Sequence, residues 1–191
     1  MPGWGWILIV VAAVVLIAII AWAAARSRRS KQLQEGFGPE YERTVERSGD
    51  RRAAESELEA RRERREELDI RALQPAARER YVSAWHQAQA RFVDAPADAL
   101  TEADSLLTSV MAERGYPMED FDQRSADVSV DHPTVVENYR AAHAISTASG
   151  RGQASTEDMR QAMVHYRALF EELVDGGTDG GTDAVERREV R

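Results

Sequence analysis

The amino-terminal part of the chain holds one long run of apolar residues. Residues 7–25 read ILIVVAAVVLIAIIAWAAA, without a charged side chain. At about 1.5 Å per residue, these 19 residues extend roughly 28 Å as a helix, which matches the hydrocarbon core of a bilayer. Tryptophans favour the headgroup zones beside that core, and three of them flank the run: Trp4, Trp6 and Trp22. The pattern predicts that residues 1–25 form a transmembrane anchor.

Basic side chains follow the apolar run but do not precede it: Arg26, Arg28, Arg29 and Lys31. Because basic flanks stay on the cytoplasmic side, this asymmetry predicts an outside amino terminus and a cytoplasmic carboxy-terminal part in the cell membrane. The alternative is a signal peptide cleaved after the small residues 23–25, which would release a secreted or envelope protein. Signal peptides carry their basic residues before the apolar region, so an uncleaved anchor is favoured.

The next two segments are charged rather than apolar. Residues 26–39 are expected to form a basic juxtamembrane linker, because QLQEGFGP at 32–39 contains two glycines and a proline that break helices. Residues 40–73 hold 11 acidic and 9 basic side chains, and their few large apolar residues sustain no heptad pattern. They predict a charged, solvated helical stalk. A dimerising helix and a face for nucleic acid or lipid are the less favoured alternatives.

Residues 74–175 change to apolar side chains at helical spacing, with no convincing strand pattern. A first helix begins at Pro75, a second ends at Gly115, a third is capped by Asp131, and a fourth starts with a capping box of Ser155 and Asp158. Between the second and third, residues 118–130 are expected to form a short helix and then a turn, because the sequence VSV at 128–130 favours extension.

The predicted fold class is therefore all-α. An N-terminal transmembrane helix and a charged juxtamembrane helix precede a small helical bundle of about four main helices at 74–175. Residues 176–191 contain the repeat GGTDGGTD and predict a flexible Gly/Asp tail.

Composition narrows the chemistry that the chain can perform. The absence of cysteine excludes thiol nucleophiles and disulfides, and the net charge of -8 disfavours nucleic acid as a partner. The histidine spacings match no metal-binding motif, and neither a phosphate-binding loop nor a nucleophile motif occurs. No catalytic residue, cofactor or metal is predicted, and the protein is expected not to be an enzyme. The rival hypothesis is a ligand-binding or enzymatic bundle that uses His143 and His165, which fall on adjacent predicted helices.

Acidic side chains dominate the middle of the predicted bundle. Between residues 94 and 131, ten acidic residues accompany two basic ones, so this surface is expected to be negative. A solvated acidic face is the ordinary interpretation, and a docking patch for a basic partner is the functional one. The candidate docking residues are Asp98, Glu102, Asp104, Glu119, Asp120 and Asp122.

Several segments together resemble a family of short, uncharacterised actinobacterial single-pass membrane proteins: FGPEYERTV, GDRRAAESELEARRERREELDIR, QARFVDAP, RGYPMEDF, SVDHPTVVENYRAAH and HYRALFEELV. The resemblance spans most of residues 36–174. It implies a bacterial origin and a tethered helical domain, and it transfers no catalytic or binding residue. The overall prediction is a non-enzymatic membrane protein whose cytoplasmic helical part acts as an adaptor or senses a protein partner near the lipid bilayer. Assembly with further copies of the chain stays open.

Overall fold

All regular secondary structure in the described part of the chain is α-helix. The computed structural model describes residues 3–175, and that range contains eight helices and no strand. The helices are α1 (Gly3–Phe37), α2 (Pro39–Ser48), α3 (Arg51–Glu67), α4 (Pro75–Arg91), α5 (Pro96–Arg114), α6 (Phe121–Asp131), α7 (Val136–Gly150) and α8 (Thr156–Asp175). The chain divides into two compact units, Met1–Glu59 and Ala60–Arg191. The all-α prediction is confirmed for residues 3–175, and the predicted tail at 176–191 lies outside the described residues.

The first helix carries the apolar run, and the side chains of residues 9–25 are exposed. Its part from Ile9 to Phe37 is long and apolar enough to cross a membrane, and none of its most apolar window is buried. Trp4, Trp6 and Trp22 are exposed as well. Within residues 3–175 this is the one candidate membrane span, and it overlaps residues 9–25 of the predicted anchor.

The linker expected at residues 26–39 is instead mostly helix. α1 continues to Phe37, and the chain turns only at Gly38, whose φ of +47° lies in the left-handed region. Gly36 keeps helical geometry, so only Gly38, followed by Pro39 in the first turn of α2, ends a helix. The basic residues that follow the apolar run therefore lie in the same helix as the run.

The first unit has buried apolar side chains of its own. Leu33 and Phe37 of α1, Tyr41 of α2, and Ala54 and Leu58 of α3 are each at most 2% exposed. The i, i+4 spacing of Ala54 and Leu58 gives α3 an apolar stripe, although most of the helix is charged. The segment expected to be a solvated helical stalk is therefore helical here, and it also contributes a few buried side chains.

The second unit is built around an apolar core. Most of its buried side chains come from α5 and α8, and α4, α6 and α7 supply the others. Trp85 of α4 stacks on Phe170 of α8 with the ring centroids 4.7 Å apart. Burial of each large apolar side chain contributes about 1.5–3 kcal/mol. The fully buried members include Leu100, Leu107, Val110, Met111, Val128, Tyr139, Tyr166 and Leu169.

Two local predictions for the second unit have opposite outcomes. The capping box is confirmed, because Asp158 N donates to Ser155 Oγ at 3.1 Å and Ser155 N donates to Asp158 Oδ2 at 2.9 Å. The turn expected within 118–130 is wrong, because α6 continues to Asp131. Val128 is fully buried there, and this burial outweighs the extended preference of its β-branched side chain. Asp131 accordingly ends α6 and does not cap α7, which begins at Val136.

Candidate functional site

A polar cluster borders the core of the second unit. Asp104 follows Leu100 by four residues and precedes Leu107 by three, so it lies next to the buried face of α5. Its Oδ1 accepts a 2.5 Å hydrogen bond from Tyr166 OH of α8 and lies 3.4 Å from His143 Nδ1 of α7. Asp104 therefore joins three helices.

An arginine and two further aromatic rings extend this cluster to α6. The ring of His143 stacks on that of Phe121, with centroids 3.7 Å apart and planes inclined by 9°. Arg124 Nε of α6 donates to Tyr139 OH of α7 at 2.9 Å. The Phe121 and Tyr139 centroids are 5.0 Å apart. The cluster thus connects α5, α6, α7 and α8 through side chains.

Burial and hydrogen bonding act in opposite directions on the acid of the cluster. Burial alone would raise the pKa of Asp104, but the hydrogen bonds from His143 and Tyr166 outweigh it and hold that pKa below its usual range. Burial, followed by the charge of Asp104, raises the pKa of Tyr166. At neutral pH the pair is therefore a carboxylate that accepts from a protonated phenol. This arrangement is suited to holding helices together.

Three of the six candidate docking residues are engaged within the protein. Asp104 belongs to the cluster above, and Glu102 pairs with Arg91 of α4 at 2.6 Å. Asp120 is the N-cap of α6, because its Oδ1 accepts from Gln123 N at 2.8 Å. These three carboxylates have structural roles, which sequence position alone did not reveal.

The other three candidate docking residues are exposed. Asp98 lies in the first turn of α5, Glu119 directly precedes the N-cap of α6, and Asp122 lies in the first turn of α6. None of the three side chains pairs with a basic residue within the described range 3–175. Met118, beside Glu119, is 40% exposed. The structure therefore leaves two carboxylates and an apolar side chain accessible at the start of α6.

The four histidines have separate surroundings. His143 faces the α5 carboxylate described above, whereas His165 Nδ1 lies 3.1 Å from Asn138 Oδ1. His86 is exposed and His132 is buried. Within residues 3–175, no group of three or more His, Asp or Glu side chains is placed to hold a metal ion. The structure gives His143 and His165 different partners.

A second polar cluster lies in the first unit and is centred on Glu55 of α3. Its Oε1 accepts from Ser30 Oγ at 2.7 Å, Tyr41 OH at 2.9 Å and Arg51 Nε at 3.0 Å. Burial would raise the pKa of Glu55, but these hydrogen bonds outweigh it and lower that pKa. Glu55 thus joins α1, α2 and α3. Sequence reasoning missed Glu55 among many similar acids, and the aromatic Tyr41 at the start of a charged segment was the available signal.

The four predicted topology determinants lie on α1 in two kinds of surroundings. Arg26 and Arg29 face carboxylates of α3, at 4.0 Å in the case of Arg26. Arg28 and Lys31 are exposed and have no side-chain partner among the described residues. The Arg26 guanidinium also lies 5.8 Å from the ring centroid of Trp22. The end of the apolar run is therefore surrounded by cations that α3 only partly neutralises.

No protein-family model, no curated protein and no solved structure matches the chain.

Proposed function

We propose that the protein is a non-enzymatic, single-pass membrane protein that presents a helical interaction module on the cytoplasmic face of the bilayer. The observation that carries the proposal is the apolar run of α1, which is exposed at residues 9–25 and is followed by basic side chains at residues 26–31. An apolar helix of this length is favourable in lipid and unfavourable in water. The basic flank favours the cytoplasmic side for the rest of the chain.

The proposed module has α4, α5, α7 and α8 as its four main helices, with α6 as an accessory helix. Its support is the packing of α8 against α4, α5 and α7, together with the packing of α6 on α7. The Asp104 cluster reinforces this arrangement by bonding across α5, α7 and α8. A module of this kind can present a fixed surface near the membrane.

The proposed partner is a cytoplasmic protein with a basic docking segment. Glu119 and Asp122 are exposed beside Met118, so the start of α6 offers negative charge next to an apolar side chain. Charge complementarity speeds association and selects partners, and methionine adapts to varied apolar surfaces. Asp98 adds an exposed carboxylate at the start of α5. By binding such a partner at the membrane, the protein would act as an adaptor or a sensor.

Site-specific photocrosslinking of the full chain in cells tests the docking surface. A photoreactive residue at position 118 is expected to give a discrete crosslinked product. Glu119→Lys combined with Asp122→Lys is expected to abolish that product. The control pair Glu66→Lys and Glu79→Lys, at exposed positions elsewhere, is expected to preserve it. The proposal fails if no product forms, or if both pairs affect it equally.

A further inference from the structure

The first unit contains two adjoining clefts between α1 and α3, at the end of the apolar run. One has a volume of about 350 Å³ and is lined by Trp22, Arg26, Arg29, Arg52, Glu55 and Glu59, among others. The second, of about 420 Å³, shares Trp22, Arg26 and Glu55 with the first and adds Lys31 and Arg51. Both volumes fall in the range of pockets that hold small molecules. The clefts can therefore admit a group from outside the protein.

The two carboxylates in the clefts already have cationic partners. Glu55 accepts from Arg51 Nε at 3.0 Å, and Glu59 pairs with Arg29. Five basic side chains line the clefts against these two acids, which leaves a net charge of +3. The protein's own acids therefore do not balance the cations gathered there.

Three cations make up this surplus. The side chains of Arg52 and Lys31 have no partner within the described residues. Arg26 comes no closer than 4.0 Å to Glu55, which is beyond hydrogen-bonding distance. Its side chain is 42% exposed. An external anion could therefore approach Arg26 and Arg52 without displacing an internal hydrogen bond of either guanidinium.

The position of Trp22 relates the clefts to the membrane. This residue lies in the last turn of the apolar run, is 62% exposed and lines both clefts. Interfacial tryptophans lie at the level of the lipid headgroups. Arg26 lies four residues further along α1, about 6 Å along the helix axis. With α1 across the bilayer, the cationic clefts face the layer that contains the lipid phosphates.

We propose that the clefts between α1 and α3 bind the phosphate of an anionic phospholipid from the surrounding membrane, with Arg26 and Arg52 as its principal ligands. The inference rests on the proposed membrane anchor. Guanidinium groups present paired N–H donors that match phosphate oxygens. The exposed apolar surface of α1 before Trp22 lies next to the clefts and offers contact for the acyl chains. This apolar surface favours a lipid over a free phosphate ion.

Native mass spectrometry of the full-length protein in detergent, titrated with phosphatidylglycerol or phosphatidylcholine, tests the proposal. The wild-type protein is expected to bind phosphatidylglycerol in preference. Arg26→Gln combined with Arg52→Gln is expected to weaken that binding about 25-fold, or about fivefold for each cation removed. The matched control, Arg28→Gln with Arg62→Gln, removes two cations that line neither cleft, and is expected to change binding less than about threefold.

A charge-preserving variant separates loss of a cation from loss of structure. Arg26→Lys with Arg52→Lys keeps both charges but loses the paired N–H donors, so it is expected to weaken phosphatidylglycerol binding clearly less than the glutamine pair does. Equal losses in the two glutamine pairs, or no preference between the two lipids, would overturn the proposal. Displacement of phosphatidylglycerol by an equal concentration of inorganic phosphate would also overturn it, because the site would then be one for a soluble anion.

The anchor is tested separately from the clefts. Extraction of the wild-type chain from cell membranes by alkaline carbonate would contradict the membrane span of α1. A chain that resists extraction but shows no lipid preference would contradict the phosphate site alone.

Discussion

Replacement of Asp104 by asparagine tests whether this residue is structural. Asp104 was grouped by sequence with exposed acids, but its Oδ1 accepts a 2.5 Å hydrogen bond from the buried Tyr166. Asparagine keeps a side-chain oxygen at the same place and removes the charge. The variant therefore isolates the contribution of the carboxylate charge to the folded state.

The expected loss follows from the strength of one hydrogen bond. A hydrogen bond to a charged group contributes about 1.5–3 kcal/mol, against about 0.5–1.5 kcal/mol for a neutral pair. The His143 Nδ1 contact also favours the charged form of Asp104, but at 3.4 Å it is longer than a typical hydrogen bond, so the expected loss is worked from the Tyr166 bond. Because the Asp104 side chain is 26% exposed, water also screens part of the effect. Asp104→Asn should therefore destabilise the second unit by about 1–2 kcal/mol, or roughly 5–10 °C in Tm.

Thermal unfolding of the full chain in detergent measures this loss, and hydrogen exchange of peptides from α5 and α8 localises it. The matched control is Asp122→Asn, because Asp122 is exposed and has no side-chain partner among the described residues. This control should change stability by less than about 0.5 kcal/mol. Because the pKa of Asp104 is held below its usual range, its contribution should be present at neutral pH and disappear as the pH falls through that lowered pKa.

A comparison of Asp104→Asn with Asp122→Asn decides whether the Asp104 carboxylate stabilises the second unit. If Asp104→Asn and Asp122→Asn unfold at the same temperature, with unchanged exchange in α5 and α8, the carboxylate does not stabilise the second unit. The bond from Tyr166 to Asp104 would then be one that a neutral side chain replaces without loss.

Two further predictions concern Gly115 and His132. Gly115→Ala should destabilise the second unit by about 2–5 kcal/mol, since its φ is +101° and an added Cβ would collide with the Asp69 backbone oxygen. Gly152→Ala, at φ +69° in open space, should cost only about 1–2 kcal/mol, and equal unfolding midpoints would contradict this reasoning. Burial lowers the pKa of His132, so the unfolded chain takes up the proton first and stability should fall as the pH drops below about 6.5. His132→Gln should flatten that decline while His86→Gln, at an exposed position, should not; parallel pH profiles of the two variants would count against the assignment.

Features that depend on a few neighbouring residues could be predicted from the sequence. Ser155 and Asp158 each accept a hydrogen bond from the other's backbone N–H within one helical turn. Their capping box could therefore be predicted from the local sequence alone. The apolar run of α1 could also be predicted locally, since its length and composition alone define a candidate membrane span.

Features that depend on distant residues could not be predicted in this way. The bond between Asp104 and Tyr166 joins positions 62 residues apart, and that between Ser30 and Glu55 joins positions 25 apart. Local sequence does not distinguish these acids from their exposed neighbours. At Val128, core burial of about 1.5–3 kcal/mol exceeds a local propensity of under about 1 kcal/mol, so α6 stays helical.

The most direct test of the account combines protease accessibility and intact mass of the native protein in right-side-out membrane vesicles. A cytoplasmic helical module predicts that the chain keeps its apolar run uncleaved and that α2–α8 resist protease until the vesicles are opened. A product that begins near Arg26, or digestion of the helical part from outside intact vesicles, would contradict the proposed cytoplasmic location.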